Sequence, residues 1–304
     1  MTRVLMPFPA DAALASTMNQ AMQARIAPVA WRHFPDGESL VTLEDSLAGA
    51  DVAILASLRH ADALALPLRF AARTAREFGA RSVGLIAPYL GYMRQDTRFH
   101  RGEAVSTPLF AQFLEEAFDW LVTVDPHLHR VERLQSLYRI PTVHVSATPA
   151  VARWIAETVP DAVLIGPDSE SEQWVADIAA LSSMPYQVLA KERHGDYDVR
   201  VSLPDPAAVA GRTPVLIDDI VSSGHTILET LAHLRRLSLP SPLLVAIHPV
   251  FAGDAYARLQ DAGLARIVST DTISHPSNAI ALGADLAAAA STLMTASTDS
   301  PEDP

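Results

Sequence analysis

Cysteine is absent from the chain, which excludes disulfide frameworks, thiolate zinc sites and thiol nucleophiles together. A reducing compartment is therefore expected, and a cytoplasmic location fits best. No apolar run reaches the roughly 18 residues that a membrane-spanning helix needs. The N-terminal apolar stretch carries one Arg and is broken by Pro7, Pro9 and Asp11, so it makes a poor signal peptide. Positive charge is also scarce: 23 Lys and Arg against 35 Asp and Glu leave a net charge of −12. Such a chain offers no basic footprint to nucleic acid or to an anionic membrane, although a local pocket can still hold a small anion. Lysine is almost missing, because Lys191 is the only one among the 23 basic residues.

What is present suits a globular enzyme. Apolar residues make up 49% and charged residues 19% of 304 positions, enough for a sizeable core, and the length predicts two domains at roughly 150 residues each. Strand-length apolar runs recur at 52–55, 82–87, 120–124, 162–166, 214–217 and 243–247, separated by Ala- and Leu-rich stretches of helical period. Strands apolar on both faces that alternate with helices predict an α/β fold, with mostly parallel sheets flanked by helices. Pro141 and Pro149 bracket a short strand-like segment before a fresh helix over 150–158, which predicts a domain boundary at 146/147. The second domain is then expected over 147–290. The polar, acidic end predicts a flexible tail over 291–304.

The segment from Val215 to Thr226 reads as a buried strand, two carboxylates (Asp218 and Asp219) at its carboxyl end, a tight loop and a helix opening at Thr226. In open α/β sheets ligands bind at that edge. Ser222, Ser223, Gly224, His225 and Thr226 bring free N–H groups, hydroxyls and a helix N-terminus together, which suits a phosphate monoester. The adjacent acids can accept hydrogen bonds from vicinal hydroxyls, so the pair of features describes a sugar phosphate. The alternative is an ordinary capped strand-to-helix turn, but two unpartnered acids after a fully apolar strand would be costly. The segment resembles the phosphoribosyl-diphosphate loop shared by type I phosphoribosyltransferases and ribose-phosphate diphosphokinases.

Two further segments separate those families. Phe34-Pro35-Asp36-Gly37-Glu38 places an aromatic face, two acids and a turn glycine within five residues, apt for a purine or simply for a solvated turn. Pro88-Tyr89 through Tyr92, Arg94-Gln95-Asp96 and Arg101-Gly102-Glu103 follow the strand ending at Ala87. There Arg94, Arg98, His100 and Arg101 crowd one loop of an acidic protein, as a polyphosphate would require. Together these motifs resemble the ribose-phosphate diphosphokinase (phosphoribosyl-diphosphate synthetase) family in its archaeal-like branch, over about residues 31–280.

The resemblance implies two type I phosphoribosyltransferase-like domains, the first (1–146) binding nucleotide and the second (147–290) ribose phosphate. It implies transfer of the β,γ-diphosphoryl group of ATP to the C1 hydroxyl of ribose 5-phosphate, dependence on Mg²⁺, and a homo-oligomer. By it, Phe34, Asp36 and Glu38 contact adenine from a neighbouring subunit, and Arg94, Gln95 and Asp96 serve the nucleotide and its phosphates. Asp218 and Asp219 hold the ribose diol, and Ser222 through Thr226 the 5-phosphate. His127 and Asp168 fall on metal-proximal positions, whereas His129 and His144 have no such counterpart. Lys191 and Arg193 match the catalytic Lys-x-Arg segment, where cations meet charge building on the transferred group. A flexible ammonium can follow that group as a rigid guanidinium cannot. There is no Walker A sequence and no obvious general base. Two departures stand out: Asp168-Ser169-Glu170-Ser171 replaces the usual Asp-x-Gly-Gly, and His225 replaces a small residue. The alternatives are a type I phosphoribosyltransferase, which needs neither N-terminal motif, or a non-catalytic regulatory homologue, which the two departures would suit.

Overall fold

The computed structural model describes residues 2–43, 46–128, 133–189, 191–193, 199–201, 209–235 and 239–296. Two compact units emerge: Met1–Val145 with Thr272–Ser274 and the segment from Leu282 onward, and Ser146–Asp271 with His275–Ala281.

In the first unit the strands are β1 (Arg3–Pro7), β2 (Arg25–Ile26), β3 (Ala30–His33), β4 (Ser39–Thr42), β5 (Asp51–Leu55), β6 (Ser82–Ala87), β7 (Leu121–Val124) and β8 (Thr142–Val145). Six of them form one sheet in the order β2-β1-β5-β6-β7-β8, every pairing parallel. β3 and β4 form a separate antiparallel ribbon. The helices are α1 (Ala12–Met22), α2 (Ala61–Glu77) and α3 (Ser106–Glu115). β5 and β6 are buried at every position, as strands covered by helices on both faces must be. Gly84 in β6 is what admits the Trp120 ring, since a Cβ there would overlap it.

The second unit contains α4 (Thr148–Thr158), β9 (Ala162–Gly166), α5 (Glu172–Ser182), β10 (Tyr186–Val188), β11 (Lys191–Arg193), β12 (Val199–Val201), β13 (Thr213–Ile220), α6 (His225–Leu234), β14 (Leu243–His248), α7 (Ala255–Asp261), β15 (Arg266–Thr270) and β16 (Asn278–Ile280). Its sheet runs β10-β9-β13-β14-β15-β16, again wholly parallel, and β11 and β12 form an antiparallel ribbon. The α/β class and parallel sheets expected from the apolar runs are thus observed.

The last helix corrects one expectation. Gly283–Ala296 is a single helix, α8, so no tail begins at 291. It packs on α1 so closely that a Cβ at Gly283 would strike Thr17, and Arg3 Nη1 donates to Ser291 Oγ at 3.4 Å. Its Ala-rich sequence permits that approach, which composition alone did not reveal. Residues 297–304 lie outside the described residues.

Candidate active site

In the second sheet the strand order reverses between β9 and β13, and in open α/β sheets the crevice at such a point receives ligands. Both flanks carry acids. β13 is held between β9 and β14 and stays apolar and buried from Pro214 through Ile217, then emerges at Asp218 and Asp219. Asp218 keeps part of its surface open, yet its carboxyl is enclosed by protein atoms. That enclosure, reinforced by the charges of Asp219 and Asp168, holds its pKa well above the usual carboxylate range. Asp219 Oδ1 accepts the Ile220 N–H at 2.7 Å.

Asp168 lies just past β9. Its carbonyl accepts Ser171 Oγ at 2.6 Å and its Oδ1 the Ser171 N–H at 3.3 Å. These bonds close the turn Ser169–Ser171 that leads into α5, and Glu170 sits inside that turn. The structure therefore sets Asp168 and Asp219 close enough to Asp218 for their charges to raise its pKa.

Beyond the acids, Gly224 takes φ +72° against Leu259, and α6 opens at His225, one residue earlier than the sequence suggests. Ser222, Ser223 and Gly224 line the approach to that N-terminus. His225 Nε2 contacts Glu229 Oε1 at 3.1 Å, which turns the ring along the helix. The Thr226 carbonyl accepts Thr230 Oγ1 at 2.9 Å. Lys191 and Arg193 lie on β11, opposite Val201 and Val199 of β12; of these strands the structure describes the backbone.

In the first unit, Phe34 to Glu38 form the tip of the β3–β4 ribbon. The Gly37 N–H donates to the Phe34 carbonyl at 2.9 Å and the Phe34 N–H to the Glu38 carbonyl at 2.8 Å. With Pro35 second in the turn and Gly37 at φ +92°, this is a type I turn closed by a bulge. Asp36 Oδ1 accepts the Glu38 N–H at 3.2 Å. The Phe34 ring is 39% exposed with the Arg32 guanidinium 4.9 Å from its centre, so an aromatic face is presented outward.

Arg94, Gln95 and Asp96 follow β6, and His127 follows the adjacent β7; Val124 N–H donates to the Pro88 carbonyl at 3.3 Å, linking the bases of the two loops. Gln95 receives Ser106 Oγ. Arg94 is exposed and makes no ion pair among the described residues. Glu103 shapes the basic loop by accepting the Phe99 and His100 N–H groups through Oε2 at 3.0 and 2.9 Å.

One pair escaped the sequence reading. Asp125 is fully buried at φ +30°, and its Oδ1 meets His144 Nε2 at 2.7 Å. A strand-end acid was visible in the sequence, but only the β7–β8 register supplies its histidine. His129 lies outside the described residues. Among the described residues no group of three or more candidate metal ligands gathers.

Comparison with known proteins agrees with this geometry. Residues 4–117 match the N-terminal domain of ribose phosphate pyrophosphokinase, and residues 145–285 the phosphoribosyl transferase domain. Ribose-phosphate pyrophosphokinase of Methanopyrus kandleri is 31% identical over 282 residues, covering 92% of this chain and 96% of that relative. The Halobacterium salinarum protein of the same name is 33% identical over 264 residues, covering 86% and 90%. The crystal structure of phosphoribosylpyrophosphate synthetase from Mycobacterium smegmatis superposes with a TM-score of 0.83 at 24% identity, over 99% of this chain and 100% of that one, so the fold is shared throughout. With both halves matched in order and nearly all of each relative covered, the chain belongs to the ribose-phosphate pyrophosphokinase family.

Proposed function

We propose that the protein transfers the β,γ-diphosphoryl group of ATP to ribose 5-phosphate, giving 5-phosphoribosyl 1-diphosphate and AMP. The observation that carries this reading is the acid-and-loop arrangement ending β13: paired carboxylates for a diol, followed by unbonded N–H groups for a phosphate. The N-terminal match to a pyrophosphokinase domain supports a diphosphokinase over a type I transferase, which has no use for that half.

The C1 hydroxyl oxygen attacks the β-phosphorus in line. Its bond to phosphorus forms as the bond from the β-phosphorus to the bridging oxygen breaks, and that oxygen leaves on AMP while the hydroxyl proton passes to solvent. With no evident general base, catalysis rests on positioning and on cations placed where charge builds. Asp218 and Asp219 orient the diol, so that C1 faces the nucleotide. Ser222 to Thr226 anchor the 5-phosphate. Arg94, Gln95 and Asp96 hold the nucleotide phosphates, while Phe34, Asp36 and Glu38 grip adenine of a neighbouring subunit in a homo-oligomer. Lys191 and Arg193 close on the transferred group.

The residues fit Mg²⁺. Asp168, Asp218 and Asp219 are oxygen donors, and burial together with the charges of Asp219 and Asp168 raises Asp218, a penalty that a divalent cation would relieve. Asp168 and, in the first unit, His127 would hold the ions, with phosphate oxygens and water completing the shell as Mg²⁺ usually requires. When bound, Mg²⁺ neutralises charge on the polyphosphate. A cytoplasmic setting suits this chemistry and the cysteine-free sequence.

Incubation with ATP, ribose 5-phosphate and Mg²⁺ tests the proposal: AMP and diphosphorylated sugar are expected in equal amounts. ADP in place of AMP would mean simple phosphoryl transfer, and ATP binding without turnover would mean a silent homologue.

A further inference from the structure

The loop that follows β13 has its three successive carbonyls tied to one neighbouring segment. The Val221 carbonyl accepts the Phe251 N–H at 2.8 Å, and the Ser222 carbonyl accepts the Ala252 N–H at 3.0 Å. The Ser223 carbonyl accepts Arg258 Nη2 at 2.9 Å. In a trans peptide the carbonyl and the following N–H point in opposite directions. Each tie therefore turns the N–H of Ser222, Ser223 or Gly224 away from the bracing segment. None of these three N–H groups finds an acceptor among the described residues. The result is a row of donors with a common orientation, the form of an anion-binding nest.

Two of the three ties are backbone bonds that any sequence could make. The third depends on one side chain. Arg258 stands on α7, and Asp254, just before that helix, fixes its guanidinium through an Nε–Oδ1 contact of 2.9 Å. The same helix presses Leu259 against Gly224, 3.1 Å from where a Cβ would stand. The peptide between Ser223 and Gly224 is thus clamped from one side.

We propose that Arg258 is a positioning residue for the sugar-phosphate subsite: by holding the Ser223 carbonyl it aims the Gly224 N–H at the ligand's phosphate. Because Asp254 already offsets the guanidinium charge, Arg258 acts through the carbonyl and not by long-range attraction. The inference rests on the reading of this loop as the 5-phosphate site.

The test uses the full-length Arg258→Met and Arg258→Lys proteins, with calorimetric binding of ribose 5-phosphate in the absence of ATP alongside steady-state kinetics. Losing a hydrogen bond from a charged donor predicts a rise of about tenfold in both the Kd and the KM for ribose 5-phosphate in the Met variant. The KM for ATP should move less than about twofold, and Lys should recover part of the loss, since it can still donate to one carbonyl. A ribose 5-phosphate Kd unchanged in the Met variant would overturn the proposal, as would equal rises in both KM values. If the Kd responds as expected but the wild type forms no AMP, the diphosphokinase reading fails and this one stands. If the wild type does not bind ribose 5-phosphate at all, both fail.

Discussion

In the first unit β1 leads through the turn Pro9–Asp11 into an eleven-residue helix that ends on Gln23 at φ +50°. In the second, β9 leads through Ser169–Ser171 into a helix that is also eleven residues long, ending on Ser183 at φ +57°. Each sheet then continues with an edge strand, a detached antiparallel ribbon and four more parallel strands in the same spatial order. The wiring is repeated, but the chemistry at the two crevices is not. Val4 pairs with Val52 and Val163 with Pro214; counted from these registers, Ala56 and Ser57 stand where the second unit has Asp218 and Asp219. In the first unit the Ser57 N–H is given to the buried Asp11 carboxylate at 3.1 Å, and Ser57 Oγ donates to the Thr272 carbonyl at 2.6 Å. At that strand end the first unit thus holds a buried acid brought from the turn before α1, whereas in the second unit the acids stand on the strand itself. A single frame thus carries its carboxylate on the turn in one unit and on the strand in the other.

The sharpest way to break the comparison is at the ribbons, one ending in Phe34 to Glu38 and the other carrying Lys191. Lys191→Ala is expected to lower turnover by about a thousandfold, the scale of a lost transition-state contact. The KM for ATP should stay within about twofold, as steady-state kinetics will show; a parallel loss of ATP affinity would make the residue structural.

A second route writes the first unit's residues into the second, as Asp218→Ala with Asp219→Ser. Diol recognition should weaken by about a hundredfold or more in ribose 5-phosphate affinity, because a site built to bond hydroxyls loses both acceptors. Stability should move the other way. A carboxyl whose folded pKa is raised destabilises the fold once pH exceeds the ordinary carboxylate value of about 4. The variant's melting temperature should therefore exceed the wild type's by a margin that widens as pH rises, as scanning calorimetry can measure. Retained sugar affinity would place diol recognition elsewhere.

The mildest change is made at the buried acid of the first unit. Burial pushes Asp11 up to about 6, against the opposing pull of the Ser57 N–H. Below about pH 4 the carboxyl is protonated in both folded and unfolded chains. Between about 4 and 6 stability is lost, in total about 3 kcal/mol at roughly 1.4 kcal/mol per pH unit. Asp11→Asn keeps an acceptor and removes the charge, so it should melt a few degrees above wild type at pH 7.5 and alongside it near pH 4. A lower melting temperature at pH 7.5 would show that the carboxylate is paired and not strained.

The sequence displayed the inner strands well, since β5, β6, β7, β9, β13 and β14 are each built around a short, mainly apolar run of the kind a doubly covered sheet requires. Strands nearer the edges were harder to see. β15 has only two apolar residues in Arg-Ile-Val-Ser-Thr, and its buried polar members are satisfied by pairings no local pattern announces: Ser269 Oγ with Ser277 Oγ at 2.7 Å, and Thr270 Oγ1 with the Ile247 carbonyl at 2.6 Å. β1 was obscured by the prolines around it. At the site, the acids and the loop after β13 were legible because carboxylates directly after an apolar strand are costly without a role. Asp11, the Asp125–His144 pair and Arg258 were not, because each acquires its partner only when distant strands or helices come into register.

The placement of α8 has a consequence for how the chain is made. The second unit is an insertion in the first, since residues before it and after it belong to one compact unit. During synthesis the opening half therefore emerges with the face of α1 uncovered and must wait until translation passes Ala296 before its final helix can dock. Such sequence-distant closure slows folding and lengthens the time that apolar surface is open to aggregation. In the nascent chain the earliest helix is thus the one whose partner is made last.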